Sequence, residues 1–261
     1  VCGVVGRTLK SLSESLRLVK DNLSWITRVT AALSPFREIA KSLGKAYHDL
    51  PEAAHSMTRL GWYADWSMAV PDSLFIKGLI DEGKFPEIDR LLQAYWQKKL
   101  PSIESELCQL YPDRARFISL ARRCHDDGEY ALSIPLLIIQ ADGFCHDVAK
   151  ESIFRSQNGK LRTTDWAHGE AGANEFMKGM LEPFEERSTI SLPEEKRGEN
   201  FSGLNRHMIL HGESTDYDTE QNSLKAWSFL YYIGSSLRYA EHKKLCRSEL
   251  GIRLFNMTDN P

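Results

Sequence analysis

One short segment in the last quarter of the chain combines residue types that can cleave phosphodiester bonds. Asn205 is followed by Arg206 and His207, and a second histidine, His211, comes four residues later. Positions i and i+4 are neighbours on a helix face, so we expect the two imidazoles to lie close together. Imidazoles exchange protons near neutral pH, and a guanidinium stabilises charge on phosphoryl oxygens. The residue types therefore suit metal-independent cleavage of RNA, although such a histidine pair also occurs at core edges and in adventitious metal sites.

Helical patterns surround this segment and would position it. Apolar periodicity and boundary residues predict helices at residues 112–128, 129–154, 202–210 and 219–245. Asp218, with Gln221 three residues later, fits an N-cap and capping box for the last of these helices. We find no convincing strand pattern, so the predicted fold class is all-α, a helical bundle.

The last helix carries more apolar residues than one packing face needs. Phe229, Tyr232 and Ile233 lie off its main apolar stripe. A helix with two apolar faces needs a second contact surface. That surface is either the N-terminal region of the chain or another copy of it.

The chain divides on sequence grounds into residues 1–111, an N-terminal helical region of unknown function, and residues 112–261, a bundle with a polar insertion at 155–200. A heptad-like apolar pattern predicts a long helix from Leu9 to Leu33, which either packs within the chain or forms a two-chain coiled coil. Prolines at 51, 71, 86 and 101 predict helix starts or boundaries. The aromatic cluster Trp62, Tyr63 and Trp66 suits a buried helix junction better than base stacking.

Composition excludes several classes of protein. The 261 residues include 33 Lys and Arg against 36 Asp and Glu, a net charge of −3, which excludes a broadly basic nucleic-acid coat. The five cysteines contain no C-x-x-C pair, which favours a reduced, cytoplasmic protein. The apolar runs are too short to cross a bilayer, so no membrane association is expected. The Cys124-His125-Asp126 and Cys145-His146-Asp147 triplets are best explained by chance, and we expect neither a metal nor a cofactor.

The Arg206-x4-His211 spacing, with polar His207 directly after the arginine, resembles the R-x4–6-H motif of HEPN-domain ribonucleases. The segment from Asp216 to Lys225 and the central segment from Tyr130 to Gly143 are similar to parts of a bacterial HEPN-like group of toxin and antiphage proteins. The resemblance covers roughly residues 112–245.

The resemblance implies roles for individual residues. Arg206 would polarise the scissile phosphate, His211 would be the acid and base, and His207 would orient groups or transfer a proton. Asn205 and Asp142 are candidate substrate-binding residues, and a carboxylate at Asp142 could also orient a histidine.

The same resemblance implies partners and an activity. The protein would be a metal-independent endoribonuclease that acts on RNA as a homodimer, in toxin or antiphage defence, with a regulatory protein partner as a further expectation. The family's toxin subgroup that is modified by a nucleotidyltransferase carries Tyr two residues after the histidine, where this chain has Glu213, which argues against that kind of partner. The alternative is a non-catalytic HEPN scaffold that binds a nucleotide or a partner protein.

Overall fold

The computed structural model describes residues 44, 49–172, 174–198, 201 and 203–258, with side chains described as far as residue 241. The chain divides into two units, Val1–Tyr47 and His48–Pro261, and the helical bundle is the second of these. The long helix predicted from Leu9 to Leu33 lies outside the described residues. Within the described residues, no helix combines the length and apolar character needed to span a membrane.

The fold is all-α, as predicted from the sequence. The described part of the first helix, α1, covers residues 49–59. The remaining helices are α2 Val70–Asp81, α3 Phe85–Leu110, α4 Ala115–Asp126, α5 Tyr130–Val148, α6 Thr164–Ala171, α7 Glu175–Leu181, α8 Arg206–Leu210 and α9 Glu220–Thr258. Two strands of two residues each, β1 Ser156–Gln157 and β2 Lys160–Leu161, form an antiparallel hairpin.

The core of the bundle lies between α3, α4, α5 and α9. Helix α5 packs along α9 and α4, and α3 packs against both α9 and α4. The buried side chains of α5 recur every three or four positions along one face of the helix: Ile134, Leu137, Ile138, Ala141 and Phe144. Leu132 and Ile139 on its other side are exposed, so the helix is not buried around its whole circumference, although its sequence is apolar on most sides. The predicted division between residues 111 and 112 therefore falls between two helices that pack on each other.

Helix α3 shows where packing outweighs a local signal. Pro71 and Pro86 stand in the first turns of α2 and α3, as predicted, but Pro101 lies inside α3, so the boundary expected there is wrong. Buried residues recur every three or four positions on both sides of this proline, including Trp96, Leu100 and Ile103. Pro101 removes one backbone hydrogen bond of the helix, and burial of this continuous apolar face stabilises the helix despite that loss.

Residues of the N-terminal region cover the second apolar face of α9. The ring of Tyr63 lies 4.8 Å from that of Phe229 and 5.8 Å from that of Tyr232, measured between centroids. Phe184 from the insertion also contacts Tyr232, at 5.8 Å. The sequence left open whether this face packs against the N-terminal region of the chain or against another copy of it. The structure shows contacts with the chain's own N-terminal region. Trp62 and Tyr63 are buried, as expected for a helix junction.

The described part of the polar insertion packs on the bundle. Its hairpin turns at Asn158 and Gly159, both with positive φ, the geometry of a two-residue type I′ turn. In the described residues this hairpin is the one difference from the strand-free prediction. Strands of only two residues are too short to show an alternating pattern in the sequence. Helices α6 and α7 follow, and Phe184 and Ile190 anchor the later part of the insertion in the core.

Candidate functional site

Helix α8 is a single short turn that Asn205 holds in place. The Asn205 side chain is 1% exposed, and its oxygen accepts hydrogen bonds from the backbone N–H groups of His207 and Met208, at 3.0 and 3.3 Å. Its amide nitrogen donates to the carbonyl oxygens of Thr189 and Leu192, both at 2.9 Å. The side chain is thus an N-cap that also ties α8 to the insertion, and both amide hydrogens are engaged within the chain. The substrate-binding role suggested for Asn205 stays a prediction, and these contacts favour a structural role.

The two histidines of the motif lie side by side. The rings of His207 and His211 are 4.3 Å apart between centroids, and both residues are exposed. His207 is the second residue of α8, and His211 directly follows the helix, with its backbone N–H bonded to the His207 carbonyl. Gly212 then turns the chain with a φ of 75°. The i and i+4 spacing accounts for this pairing.

A carboxylate that sequence reasoning did not assign to the site stands beside His207. Glu213 Oε1 lies 3.8 Å from His207 Nδ1, and its other oxygen accepts a hydrogen bond from Arg197 Nη1 at 3.0 Å. The Arg197 side chain is only 7% exposed. Buried Arg197 thus fixes the carboxylate next to the imidazole. The nearness of Glu213 to the histidines in sequence was the available signal, but the residue drew attention only as a departure from a family pattern.

Arg206 points into a cavity of about 220 Å³. Its guanidinium carbon lies 4.7 Å from the centroid of the Phe154 ring. The cavity is lined by Phe154, Arg187, Ser191, Pro193, Arg206 and His207. No side chain in the described part of the protein accepts a hydrogen bond from the Arg206 guanidinium. With respect to these described residues, the guanidinium can therefore donate to a ligand in the cavity.

The electrostatic surroundings of Arg206 combine burial with charges of both signs. Partial burial lowers the pKa of Arg206, Asp142 acts in the opposite direction, and the neighbouring positive charge of Arg187 lowers it further. The guanidinium nevertheless stays protonated, as arginine does in proteins. Arg187 and Arg206 thus place two positive charges close together, and the negative charge of Asp142 compensates them only in part.

Asp142 contacts the loop that follows α5. Its Oδ1 accepts hydrogen bonds from Ser152 Oγ, at 2.7 Å, and from the Ile153 backbone N–H, at 3.0 Å. These bonds position the loop that carries Phe154, the ring beneath Arg206. Among the described side chains, no histidine hydrogen-bonds Asp142, and its suggested role in orienting one stays a prediction. Its described connection to the site is electrostatic, through Arg206.

Arg187 is a second site residue that sequence reasoning missed. Its Nη1 donates to the Ser191 carbonyl at 2.9 Å, and its Nη2 donates to Ser156 Oγ at 2.5 Å. These bonds hold its guanidinium at the cavity wall. Arg187 lies in the polar insertion, 19 residues before Arg206 and without a periodic pattern, so the sequence offered no signal for it.

The predicted residues are thus brought together in part. Arg206 and His207 line one cavity, and His207 contacts His211, which does not line it. The described residues contain no group of His, Cys, Asp and Glu side chains with metal-binding geometry.

Other residues noted in the sequence have partners away from this cavity. His125 is buried and hydrogen-bonds Ser223 and Gln97, at 2.8 and 3.0 Å. Arg114, in the turn before α4, pairs with Asp147 on α5.

Comparison with known proteins gave no match to this chain among family models, curated proteins or solved structures.

Proposed function

We propose that this protein is a metal-independent endoribonuclease of the HEPN type, with Arg206, His207 and His211 as its catalytic residues. The observation that carries the proposal is the joint placement of Arg206 and His207 in one cavity, with His211 against the His207 ring. When the 2′-OH of RNA attacks the neighbouring phosphodiester, protons must be moved and charge on the phosphoryl oxygens must be stabilised. Two imidazoles can move the protons, and a guanidinium can stabilise the charge.

In the proposed reaction, one imidazole takes the proton of the 2′-OH as its oxygen attacks phosphorus. The bond between phosphorus and the 5′-oxygen breaks, and an imidazolium gives that oxygen a proton. The products are a 2′,3′-cyclic phosphate and a 5′-hydroxyl. Arg206 stabilises the negative charge that grows on the phosphoryl oxygens, because its guanidinium lines the cavity. Glu213, whose Oε1 lies 3.8 Å from His207 Nδ1, helps to hold that ring in position.

The resemblance extends the proposal to the biological setting. We place the activity in toxin or antiphage defence in the cytoplasm, with RNA as substrate, a homodimer as the assembled form and a regulatory protein as partner. The competing proposal is a non-catalytic scaffold that binds a nucleotide or a protein through the same residues. The exposed position of His211 outside the cavity favours this alternative, since ligand binding in the cavity does not need it.

The test is incubation of the full chain with total RNA in EDTA. We expect cleavage by the wild type and a loss of at least about a hundredfold in Arg206→Ala and His211→Ala. His168→Ala is the matched control, because His168 is an exposed histidine that pairs with Glu185 at 2.7 Å. It should cleave like the wild type.

Product analysis gives a second, independent readout. The cleaved ends should carry 2′,3′-cyclic phosphates, and a substrate with 2′-deoxyribose at the cleaved position should resist. Cleavage that survives both substitutions, or that requires a divalent ion, would refute the proposed site. Binding of RNA without cleavage would instead support the scaffold.

A further inference from the structure

The cavity beneath Arg206 has an unbalanced charge. Two of its lining residues, Arg187 and Arg206, carry full positive charges, and none of the lining residues that the structure describes is acidic. Asp142 compensates Arg206 electrostatically, but its Oδ1 is already engaged by Ser152 and Ile153. Two guanidinium groups at one small cavity repel each other. An anion placed between them would remove that repulsion and form charge-assisted hydrogen bonds.

Arg187 retains donors for such an anion. A guanidinium has five N–H donors. Two of them bond Ser191 and Ser156, which leaves three and fixes the plane of the group in advance. A donor held in position before binding loses little conformational entropy when the ligand arrives. The Arg206 guanidinium donates to no described residue, and the face of the Phe154 ring supports it.

A neighbouring cavity shows which side of Arg187 suits an anion. Arg187 also lines a second cavity of about 320 Å³, in which the carboxylates of Glu182 and Glu186 face Arg59 and His55. Those two carboxylates disfavour a negatively charged ligand. The cavity shared with Arg206 has no carboxylate among its described lining residues, so an anion is favoured there.

We propose that Arg187 and Arg206 of one chain together bind one phosphate group of the RNA substrate. Phosphate suits the site because its oxygens can accept from both guanidinium groups and its charge matches the excess of positive charge. The inference rests on the proposed function for RNA as the carrier of the phosphate. It adds that the polar insertion is part of the substrate site.

This arrangement has a consequence for assembly. The phosphate site is complete within one chain, because both guanidinium groups come from the same copy. A second copy is therefore not needed to supply the second positive charge.

The experiment measures binding without cleavage. Inorganic phosphate and a 2′-O-methyl oligoribonucleotide are titrated into the full chain, the first by calorimetry and the second by fluorescence anisotropy. We expect Arg187→Gln and Arg206→Gln each to weaken both ligands by about tenfold to a hundredfold. Arg162→Gln is the matched control, since Arg162 lies in the same insertion but pairs with Glu151 at 2.8 Å. It should bind like the wild type.

Further arms separate this proposal from simple loss of structure and from the proposed function. Arg187→Lys keeps the charge but loses the planar fork, so it should bind between wild type and Arg187→Gln while its melting temperature stays near that of the control. One phosphate should bind per chain at protein concentrations where the chain is monomeric. Binding only in the dimer, or equal binding by the wild type and both Arg187 variants, would overturn the inference. Phosphate and oligonucleotide binding without RNA cleavage would support the inference while refuting the proposed function.

Discussion

Replacement of Asn205 with alanine should destabilise the protein by about 3 kcal/mol. The side chain is 1% exposed and makes four hydrogen bonds. Loss of the N-cap of α8 contributes about 1 kcal/mol. The lost hydrogen bonds to the carbonyls of Thr189 and Leu192 each contribute about 1 kcal/mol, the typical net value of a hydrogen bond, because both residues are half-buried and the Thr189 carbonyl still accepts from the Leu192 N–H at 3.4 Å.

The measurement is denaturant unfolding followed by circular dichroism, with thermal unfolding as a check. A change of this size should lower the melting temperature by roughly 6–12 °C for a chain of this length. Asn205→Ser separates the two contributions, because serine can still cap α8 but is too short to reach the two carbonyls. It should lose about 2 kcal/mol.

The same variants distinguish a structural role for Asn205 from direct binding of substrate. In a structural role, phosphate affinity falls because α8 and the insertion separate, and the loss should follow the loss of stability across alanine and serine. A change below about 0.5 kcal/mol in Asn205→Ala, together with a large loss of RNA affinity, would refute this reasoning and restore the substrate-binding role.

Three further outcomes are expected. Glu213→Ala should lower the free energy of unfolding by about 2 kcal/mol, less than for a fully buried pair because Glu213 is partly exposed. Glu213→Gln should lower it less, since glutamine keeps an acceptor for buried Arg197. Equal losses of stability in the two variants would contradict this. Gly143→Ala would place a Cβ against Arg114 Nη1, so the arginine must leave its ion pair with Asp147 and the free energy of unfolding should fall by about 1 kcal/mol. The double variant with Arg114→Ala should lose less than the sum of the two single variants, and strict additivity would exclude this contact. Burial raises the pKa of the Cys145 thiol, so Cys145 should resist alkylation in the native protein. Peptide mapping should find Cys145 unmodified while the half-buried Cys108 and Cys124 react. Rapid alkylation of Cys145 would show that this part of the core opens readily.

The helices near the site could be predicted because their signals are local. The short helix expected at 202–210 is α8, the apolar helix expected at 129–154 is α5, and the last helix begins within one residue of its predicted start. Its predicted cap was misplaced, since Thr219 Oγ1, rather than Asp218, accepts from the Asn222 N–H at 3.2 Å. Both side chains suit the capping position, so sequence alone could not choose between them.

The sequence by itself determined the all-α fold and the neighbouring positions of His207 and His211, because periodicity and i, i+4 spacing act within one or two turns. Only the tertiary structure decided what surrounds Arg206. Arg187 reaches the cavity through the path of the polar insertion, and Phe154 through the loop that Asp142 anchors. Such contacts join residues far apart in sequence, and the packing of the whole bundle, rather than any local pattern, determines them.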